Sequence, residues 1–190
     1  LTIGDLACAS SDRLKYKLGR NGLMLQAFAQ GWDQAPVMHT TAEEAIRSVG
    51  NSTTTPHDIA NLEEARCVYY MLAESVGARM RENGFRSKCI SISIRKADLL
   101  TYSCQKTIST PTNITSEIAD IACRLFSERY QRFYPLRSVG LSCSALSIAS
   151  SPLQLDMLGD WERREKMERL DGAVDGIRKR FGNRIIQRGV

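Results

Sequence analysis

The stretch Lys88–Arg95 alternates strictly between two kinds of residue, and this alternation constrains the fold more than any other feature of the sequence. Three isoleucines, Ile90, Ile92 and Ile94, alternate there with Cys89, Ser91, Ser93 and Arg95. Side chains on a strand point to its two faces in turn, so the pattern predicts a strand with an apolar face and a hydroxyl-rich face. The isoleucine face needs a core. The polar face is either an ordinary solvated face or free to approach a phosphate backbone.

The residues around this strand predict an α+β fold between residues 46 and 148. The predicted order is strand, helix, strand, strand, helix, strand, which favours a four-stranded sheet with two helices on one face. We expect Asn61 to cap the first helix with Glu64 at the capping-box position, and Thr115 to cap the second. The segment Thr54–Pro56 is expected to form a turn after the first strand.

Three other segments flank this predicted domain. Residues 1–34 predict a small helical segment that opens on a capping box at Thr2 and Asp5, and residues 35–45 form a linker. Residues 149–190 form a tail with a charged helix, along which apolar residues recur at helical spacing. This narrow apolar stripe consists of Met167, Leu170, Val174, Ile177 and Phe181. Most amphipathic helices pack on their own domain, and we expect the stripe to do so here.

Composition narrows the possible functions. The chain has 190 residues and a net charge of +5, which is compatible with a polyanionic partner. Its six cysteines include no C-x-x-C pair, so the spacing of a zinc site is absent. An enzyme using Cys or His chemistry stays an open alternative that no motif supports. With no signal peptide and no apolar run of roughly 20 residues, we expect a cytoplasmic protein with reduced thiols and no membrane contact.

Five short motifs, taken in order, resemble the C-terminal half of bacterial Y-family (UmuC/DinB-type) translesion DNA polymerases. They are Thr2–Ala7, Ser48–Thr54, Ser91–Arg95, Pro111–Asn113 and Leu136–Gly140. The resemblance implies that residues 1–34 are the end of the helical thumb. Residues 46–148 would be the little finger, or polymerase-associated domain, and residues 149–190 a clamp-binding peptide with the helical tail.

In that family the little finger lies along the major groove of duplex primer–template DNA and holds both backbones. Phosphate contacts fix position without reading bases, which suits a damaged template. Carried over by position, the resemblance implies ten DNA-binding residues: Arg47, Ser48, Gly50, Asn51, Ser52, Ser91, Ser93, Arg95, Arg137 and Ser138. Without the resemblance, these side chains would be interpreted as exposed strand hydroxyls and solvated surface cations.

The resemblance implies a second partner, the sliding clamp. The clamp-binding residues would be Gln154, Leu155, Asp156, Met157 and Leu158. The three apolar side chains of this peptide would fill an apolar pocket, while the glutamine makes polar contacts at its edge. Such a tether raises the effective concentration of the polymerase at the primer end.

The resemblance implies no catalytic residue in this chain. The family's chemistry takes place in an N-terminal palm, where acidic residues hold two metal ions, and no strand here ends in the palm-type Ser-x-Asp-Glu pattern. We therefore expect no cofactor in this fragment, and magnesium in the parent polymerase. The alternative is a free-standing nucleic-acid-binding module with no polymerase activity.

Overall fold

The chain divides into two units, Leu1–Glu44 and Ala45–Val190. The computed structural model describes residues 2–37, 46–59, 61–130, 135–151, 161–183 and 185–189.

The first unit consists of three short helices, α1 (Ile3–Ala7), α2 (Ser11–Leu18) and α3 (Arg20–Ala29). The predicted capping box is confirmed: the Thr2 hydroxyl accepts from the Asp5 amide at 3.2 Å, and the Asp5 carboxylate accepts from the Thr2 amide at 2.7 Å. The buried side chain of Gln26 joins the helices, since its amide donates to the Ala9 carbonyl at 2.7 Å.

The second unit is built around a four-stranded antiparallel sheet of order β1-β4-β2-β3. In chain order its elements are β1 (Ser48–Ile59), α4 (Leu62–Glu82), β2 (Phe85–Lys96), β3 (Thr101–Thr112), α5 (Thr115–Arg129), β4 (Leu136–Ile148) and α6 (Trp161–Phe181). The predicted α+β fold is confirmed, with a helical segment before the sheet and a helical tail after it.

The core lies between the sheet and the pair α4 and α5. Ile90, Ile92 and Ile94 of β2 are at most 5% exposed, as their alternation predicts. The Tyr69 ring on α4 meets the Phe126 ring on α5 with centroids 5.6 Å apart. Because all of this apolar surface is on one face of the sheet, the opposite face has no helix over it among the elements that supply the core.

The first strand is longer than predicted. The turn expected at Thr54–Pro56 is wrong, because β1 continues through these residues to Ile59. Pro56 lacks an amide hydrogen, but β1 is at the edge of the sheet and pairs only with β4, so one side of its backbone needs no partner. The pairing with β4 shifts register between Thr54 and Ile59, which accommodates the proline.

Helix α4 begins as predicted, whereas the predicted cap of α5 is wrong. The Asn61 side chain accepts from the Glu64 amide at 2.8 Å. On α5, Thr115 is the first helical residue, and the N-cap residue Ile114 makes no side-chain cap bond. The cap comes from α6 instead: Asp171 accepts from the Thr115 amide at 2.7 Å, and its side chain is only 1% exposed.

Helix α6 packs on the second unit through its charged face. The Arg81 guanidinium of α4 contacts Asp171 at 3.3 Å and Asp175 at 2.6 Å. Further ion pairs join Arg86 to Glu168, Glu117 to Arg164, and Glu74 to both Arg178 and Arg188. Arg188 also contacts Asp171. These partners are far apart in sequence, so the contacts fasten the tail to the helical layer.

The expectation for the apolar stripe of α6 holds only in part. The helix packs on its own domain with Met167 and Val174 half-buried, whereas Leu170, Ile177 and Phe181 remain 50%, 38% and 61% exposed. The charged residues of α6 also recur at helical spacing, from Arg164 to Arg178, and form a second stripe. The residues of that stripe pair with opposite charges on α4, β2 and α5.

Candidate nucleic-acid interface

The face of the sheet opposite α4 and α5 is a surface of small and hydroxylic residues, which we call the open face. Strand register aligns it into three cross-strand rows, because directly paired residues share a face. From β1 to β3 the rows are Gly50–Ser142–Ser91–Gln105, Ser52–Gly140–Ser93–Ser103 and Thr54–Ser138–Arg95–Thr101. No position in these rows carries a carboxylate.

The centre of the open face is a shallow concavity, which residues from all four strands line. Two glycines leave room for it, because any side chain at their positions would fill it. A Cβ added at Gly140 would collide with the Ser93 hydroxyl and lie 3.2 Å from the Ser52 Cβ, and one at Gly50 would lie 3.1 Å from the Ser142 Cβ. The Ser91 hydroxyl donates to the Ser142 carbonyl at 3.2 Å. The surface can therefore approach a flat or rod-shaped ligand closely, with backbone and hydroxyl groups within reach.

Positive charge is concentrated at one end of the open face, beside the β2–β3 connection. Arg95 is in the last row, and Arg137 is at the register irregularity between β4 and β2. Both side chains are exposed, and neither has a carboxylate partner among the described residues. The arginines under α6, in contrast, are paired with acids. This division leaves the cations of the open face available to an anionic ligand.

The structure brings together most of the residues that the sequence analysis singled out for DNA binding. Gly50, Ser52, Ser91, Ser93, Arg95 and Ser138 share the open face. Ser48 pairs with Ser144, one row beyond the concavity. Arg47 precedes β1 and is exposed.

Asn51 is on the other face of the sheet. It pairs with Leu141 in a core-facing row, and its amide donates to the Ser75 hydroxyl on α4 at 3.1 Å. Its neighbours Gly50 and Ser52 point the opposite way because side chains alternate along a strand. The predicted clamp-binding residues Gln154, Leu155, Asp156, Met157 and Leu158 lie outside the described residues.

The contributions of β3 and of much of β4 to the open face were not predicted from the sequence. Thr101, Ser103 and Gln105 supply the outer end of each row, and Gly140 and Ser142 supply its middle. The signal was present in β4, where Ser138, Gly140 and Ser142 alternate with apolar residues. In β3 it was weaker, because Lys106 interrupts the apolar residues Tyr102, Cys104 and Ile108 of its other face.

The chemistry of the open face is that of binding and positioning. It offers hydroxyl and amide hydrogen-bond donors, and one end of it is positively charged. Among the residues that the structure describes, no group of three or more His, Cys, Asp or Glu could hold a metal ion. Burial raises the pKa of the Cys143 thiol to about 12 and that of Cys123 to about 11, so both thiols are protonated at neutral pH and are poor nucleophiles. These two cysteines give no support to thiol catalysis.

The fold and this surface together define a class of protein. It is an α+β domain with two helices over one face of the sheet, and the other face is rich in hydroxyl groups and carries no carboxylate in its three rows. The profile of the impB/mucB/samB family C-terminal domain matches residues 46–157. The chain belongs to this family. Its resemblance to the C-terminal part of Y-family polymerases is thereby confirmed.

Similar proteins agree with this assignment. A DNA polymerase IV of Acetivibrio thermocellus is 38% identical over 189 residues, covering 100% of this chain and 47% of that relative. A DNA polymerase IV of Pelotomaculum thermopropionicum is 34% identical over 189 residues, covering 100% of this chain and 46% of the relative. The chain thus spans about half the length of these curated relatives.

Among solved structures, a Y-family DNA polymerase chimera resembles this chain with a TM-score of 0.52 at 16% identity, covering 77% of this chain and 41% of the chimera. At that identity the likeness shows the fold alone. A separate observation concerns membranes: of the helices in the described ranges, none combines the length and apolar character needed to cross a bilayer.

Proposed function

We propose that the unit Ala45–Val190 binds the backbone of duplex primer–template DNA, as the little finger of a translesion DNA polymerase. The observation that carries the proposal is the charge distribution of the open face. Its rows contain no carboxylate, while Arg95 and Arg137 are exposed at one end and have no acidic partner in the part of the chain that the structure describes. A polyanion meets no repulsion there and gains two cations. The family membership and the names of the relatives support the same function.

The chemistry of the small residues fits a phosphate backbone. Ser93 and Ser138 can each donate a hydroxyl hydrogen to a phosphate oxygen, and the glycines let the backbone of the DNA come close. Such contacts hold the duplex in register without reading its sequence. A polymerase that copies damaged templates needs this kind of grip, since the bases near a lesion are abnormal. Nucleotidyl transfer and the magnesium it uses belong, in this proposal, to a palm outside this sequence.

The experiment that tests the proposal is a salt series. The chain is titrated with a fluorescent blunt duplex between low and physiological salt, on two unrelated sequences. We expect binding that weakens steeply with salt and is equal on both sequences, because each phosphate neutralised contributes a slope of about −0.9 in a plot of log affinity against log salt. Absence of binding at the lowest salt, or a strong preference for one sequence, would contradict a backbone grip.

Two substitutions locate the grip. The double variant Arg95→Ala with Arg137→Ala should lower the affinity for both duplexes equally and reduce the salt slope by about 2. Arg169→Ala is the matched control: this arginine on α6 is 72% exposed and only loosely paired, with Glu165 at 4.0 Å. It should leave affinity and slope unchanged. A control that fell as far as the double variant would show that net charge, and not the open face, binds the DNA.

We also propose that the peptide Gln154–Leu158 binds the sliding clamp. Its support is the peptide's composition and its place after the last strand of the sheet. Replacing Leu155, Met157 and Leu158 with Ala should abolish clamp binding in a pull-down while the affinity for DNA stays the same. Clamp binding that survives the triple substitution would assign the contact to another part of the chain.

A further inference from the structure

The solvent-facing side of α6 carries a strip of apolar and small residues that the described part of the chain leaves exposed. Leu170, Ala173, Gly176 and Ile177 recur at helical spacing, so they lie along one side of the helix. All four are exposed, and the two largest, Leu170 and Ile177, are 50% and 38% exposed. Asp171, which fastens α6 to the domain, lies on the opposite side of the helix. We call this strip the outer ridge.

Two glycines at and beside the outer ridge are not required by the packing of this domain. Gly172 and Gly176 are in the interior of α6, where glycine is a poorer helix former than alanine. A Cβ added at either position would meet no atom within 4 Å. A missing side chain lets the backbone of another element approach closely. The helix is therefore less stable than alanines would make it, and what it gains is room for a close neighbour.

An open groove of about 810 Å³ borders the outer ridge on the side of α4. Both glycines contribute to its lining, together with Met71 of α4, which is 53% exposed. The lining also contains three carboxylates, and each is paired with a cation; the pairs are Glu74–Arg178, Asp175–Arg81 and Glu82–Lys179. The groove can therefore receive side chains of a ligand that lies along the ridge, without presenting an unpaired negative charge from these residues.

The exposed charge around the outer ridge is positive. All carboxylates of α6 from residue 166 onward are used in ion pairs with the domain; they are Glu168, Asp171 and Asp175. Four cations of the same stretch are exposed, two at each end of the ridge: Lys166, Arg169, Lys179 and Arg180. Two of the four meet an acid only loosely, Arg169 with Glu165 at 4.0 Å and Lys179 with Glu82 at 3.7 Å. A ligand on the ridge therefore meets cations at both ends.

These features together fit one kind of partner. Leu170 and Ile177 require apolar contact, the glycines admit a closely packed backbone, and the cations favour negative charge. A second copy of the chain would bring like charges together. A phosphate backbone has no apolar groups to cover the two side chains, and a lipid surface binds large apolar side chains better than glycines. We propose that the outer ridge of α6 docks an acidic amphipathic helix of another protein. The proposal does not depend on DNA binding by the open face.

The test uses a labelled model peptide of about three heptads, with leucine at the a and d positions and glutamate at e and g, and a twin with lysine in place of each glutamate. Like charges at e and g oppose pairing of each peptide with itself, and sedimentation confirms that it is monomeric. Each peptide is titrated with the complete chain by fluorescence anisotropy. We expect the glutamate peptide to bind at least about tenfold more tightly than its twin, and less tightly as salt is raised.

Three variants locate the binding on the outer ridge. Leu170→Ser with Ile177→Ser should weaken binding of the glutamate peptide at least about tenfold, because two apolar side chains no longer contribute their burial. Leu100→Ser removes a leucine that is 55% exposed in the β2–β3 connection and should have no effect. Gly176→Ala should raise the melting temperature yet lower the affinity, because alanine favours the helix while its methyl group keeps the partner's backbone away. If the double variant does not fold in a thermal melt, Leu170→Ser alone should weaken binding.

Other results would overturn the proposal. Equal binding of the two peptides, or an affinity that the double variant retains, would show that the ridge does not select an acidic helix. A dimer of the chain alone that the double variant dissociates would assign the ridge to a second copy. Binding to phosphatidylglycerol vesicles that the double variant abolishes would assign it to lipid. Tighter peptide binding after replacement of Leu155, Met157 and Leu158 with Ala would assign it to the chain's own peptide.

Discussion

Replacement of Asp171 by Ala should destabilise the second unit more than any other single change of a charged residue on α6. The carboxylate is 1% exposed and has three roles. It accepts from the Thr115 amide at the start of α5, it pairs with Arg81 at 3.3 Å, and it contacts Arg188. The side chain of Arg81 is itself only 11% exposed, so removal of the acid leaves a cation in a dry environment.

The size of the effect follows from these contacts. Breaking a buried ion pair by removing one partner costs about 3–5 kcal/mol, because the remaining charge stays buried without compensation. Loss of a helix cap costs about 0.5–2 kcal/mol. Asp175 still pairs with Arg81 at 2.6 Å and offsets part of the first cost. We therefore expect a loss of about 3–5 kcal/mol in the free energy of unfolding, or roughly 6–20 °C in melting temperature.

The assay is urea unfolding followed by the fluorescence of Trp161, which is on α6. Trp32, in the first unit, is replaced by Phe in all samples so that the signal reports the second unit alone. Asp171→Asn keeps an oxygen that can accept from the Thr115 amide but removes the charge, so it should lose less stability than Asp171→Ala. The difference between the two variants measures the contribution of the cap.

Glu165→Ala is the matched control on the same helix. This side chain is 71% exposed and meets Arg169 at 4.0 Å, so its loss should change the free energy of unfolding by less than about 0.5 kcal/mol. A loss below about 1 kcal/mol for Asp171→Ala would refute the reasoning, since it would mean that the carboxylate neither caps α5 nor neutralises Arg81 to any useful extent.

Three other predictions follow from the same structure. Gly140→Leu should lower DNA affinity in the duplex titration, because its side chain would collide with Ser93 and raise the middle of the open face; unchanged affinity would place the DNA elsewhere. The free energy of unfolding should fall as the pH rises above about 9, because the unfolded chain then loses thiol protons that folded Cys143, with its pKa raised to about 12 by burial, retains. Cys143→Ala should flatten this fall in urea titrations at pH 8 to 10, whereas Cys67→Ala, at an exposed position, should not. A chain ending at Ser151 should be markedly less stable in thermal melts, since it lacks the cap of α5; equal stability would show that α6 is dispensable.

Local patterns in the sequence were enough to predict the strands and helices around the core. The alternation in Lys88–Arg95 predicts a strand with a buried and a polar face, and β2 has both. The caps at Thr2 and Asn61 were also predictable, because each depends on residues three positions apart. Strand alternation and helix caps depend on residues only a few positions apart, so they can be predicted directly from the sequence.

Pairing between distant segments was decided only in the tertiary structure. Pairing with β4 extends β1 through Pro56, and the position of this strand beside the helices brings Asn51 to Ser75 of α4. The same pairing brings Ser103 of β3 into a row with Ser52 of β1. Sequence alone contains the hydroxyls of the open face but not the rows that they form.

The tail shows most clearly why such contacts cannot be predicted from the sequence. Its apolar stripe predicted apolar packing, yet three of the five stripe residues stay exposed, and ion pairs of the charges beside them join α6 to the domain. An amphipathic pattern shows which faces a helix has, whereas the partner surface decides which face is buried. Here the partner surface offers Arg81 and the start of α5, which has no cap from its own N-cap residue. These groups are ninety and fifty-six residues away from Asp171 in the sequence. The complementarity of these groups exists only once the chain has folded, and it is the tertiary structure that makes a carboxylate of the tail part of the domain.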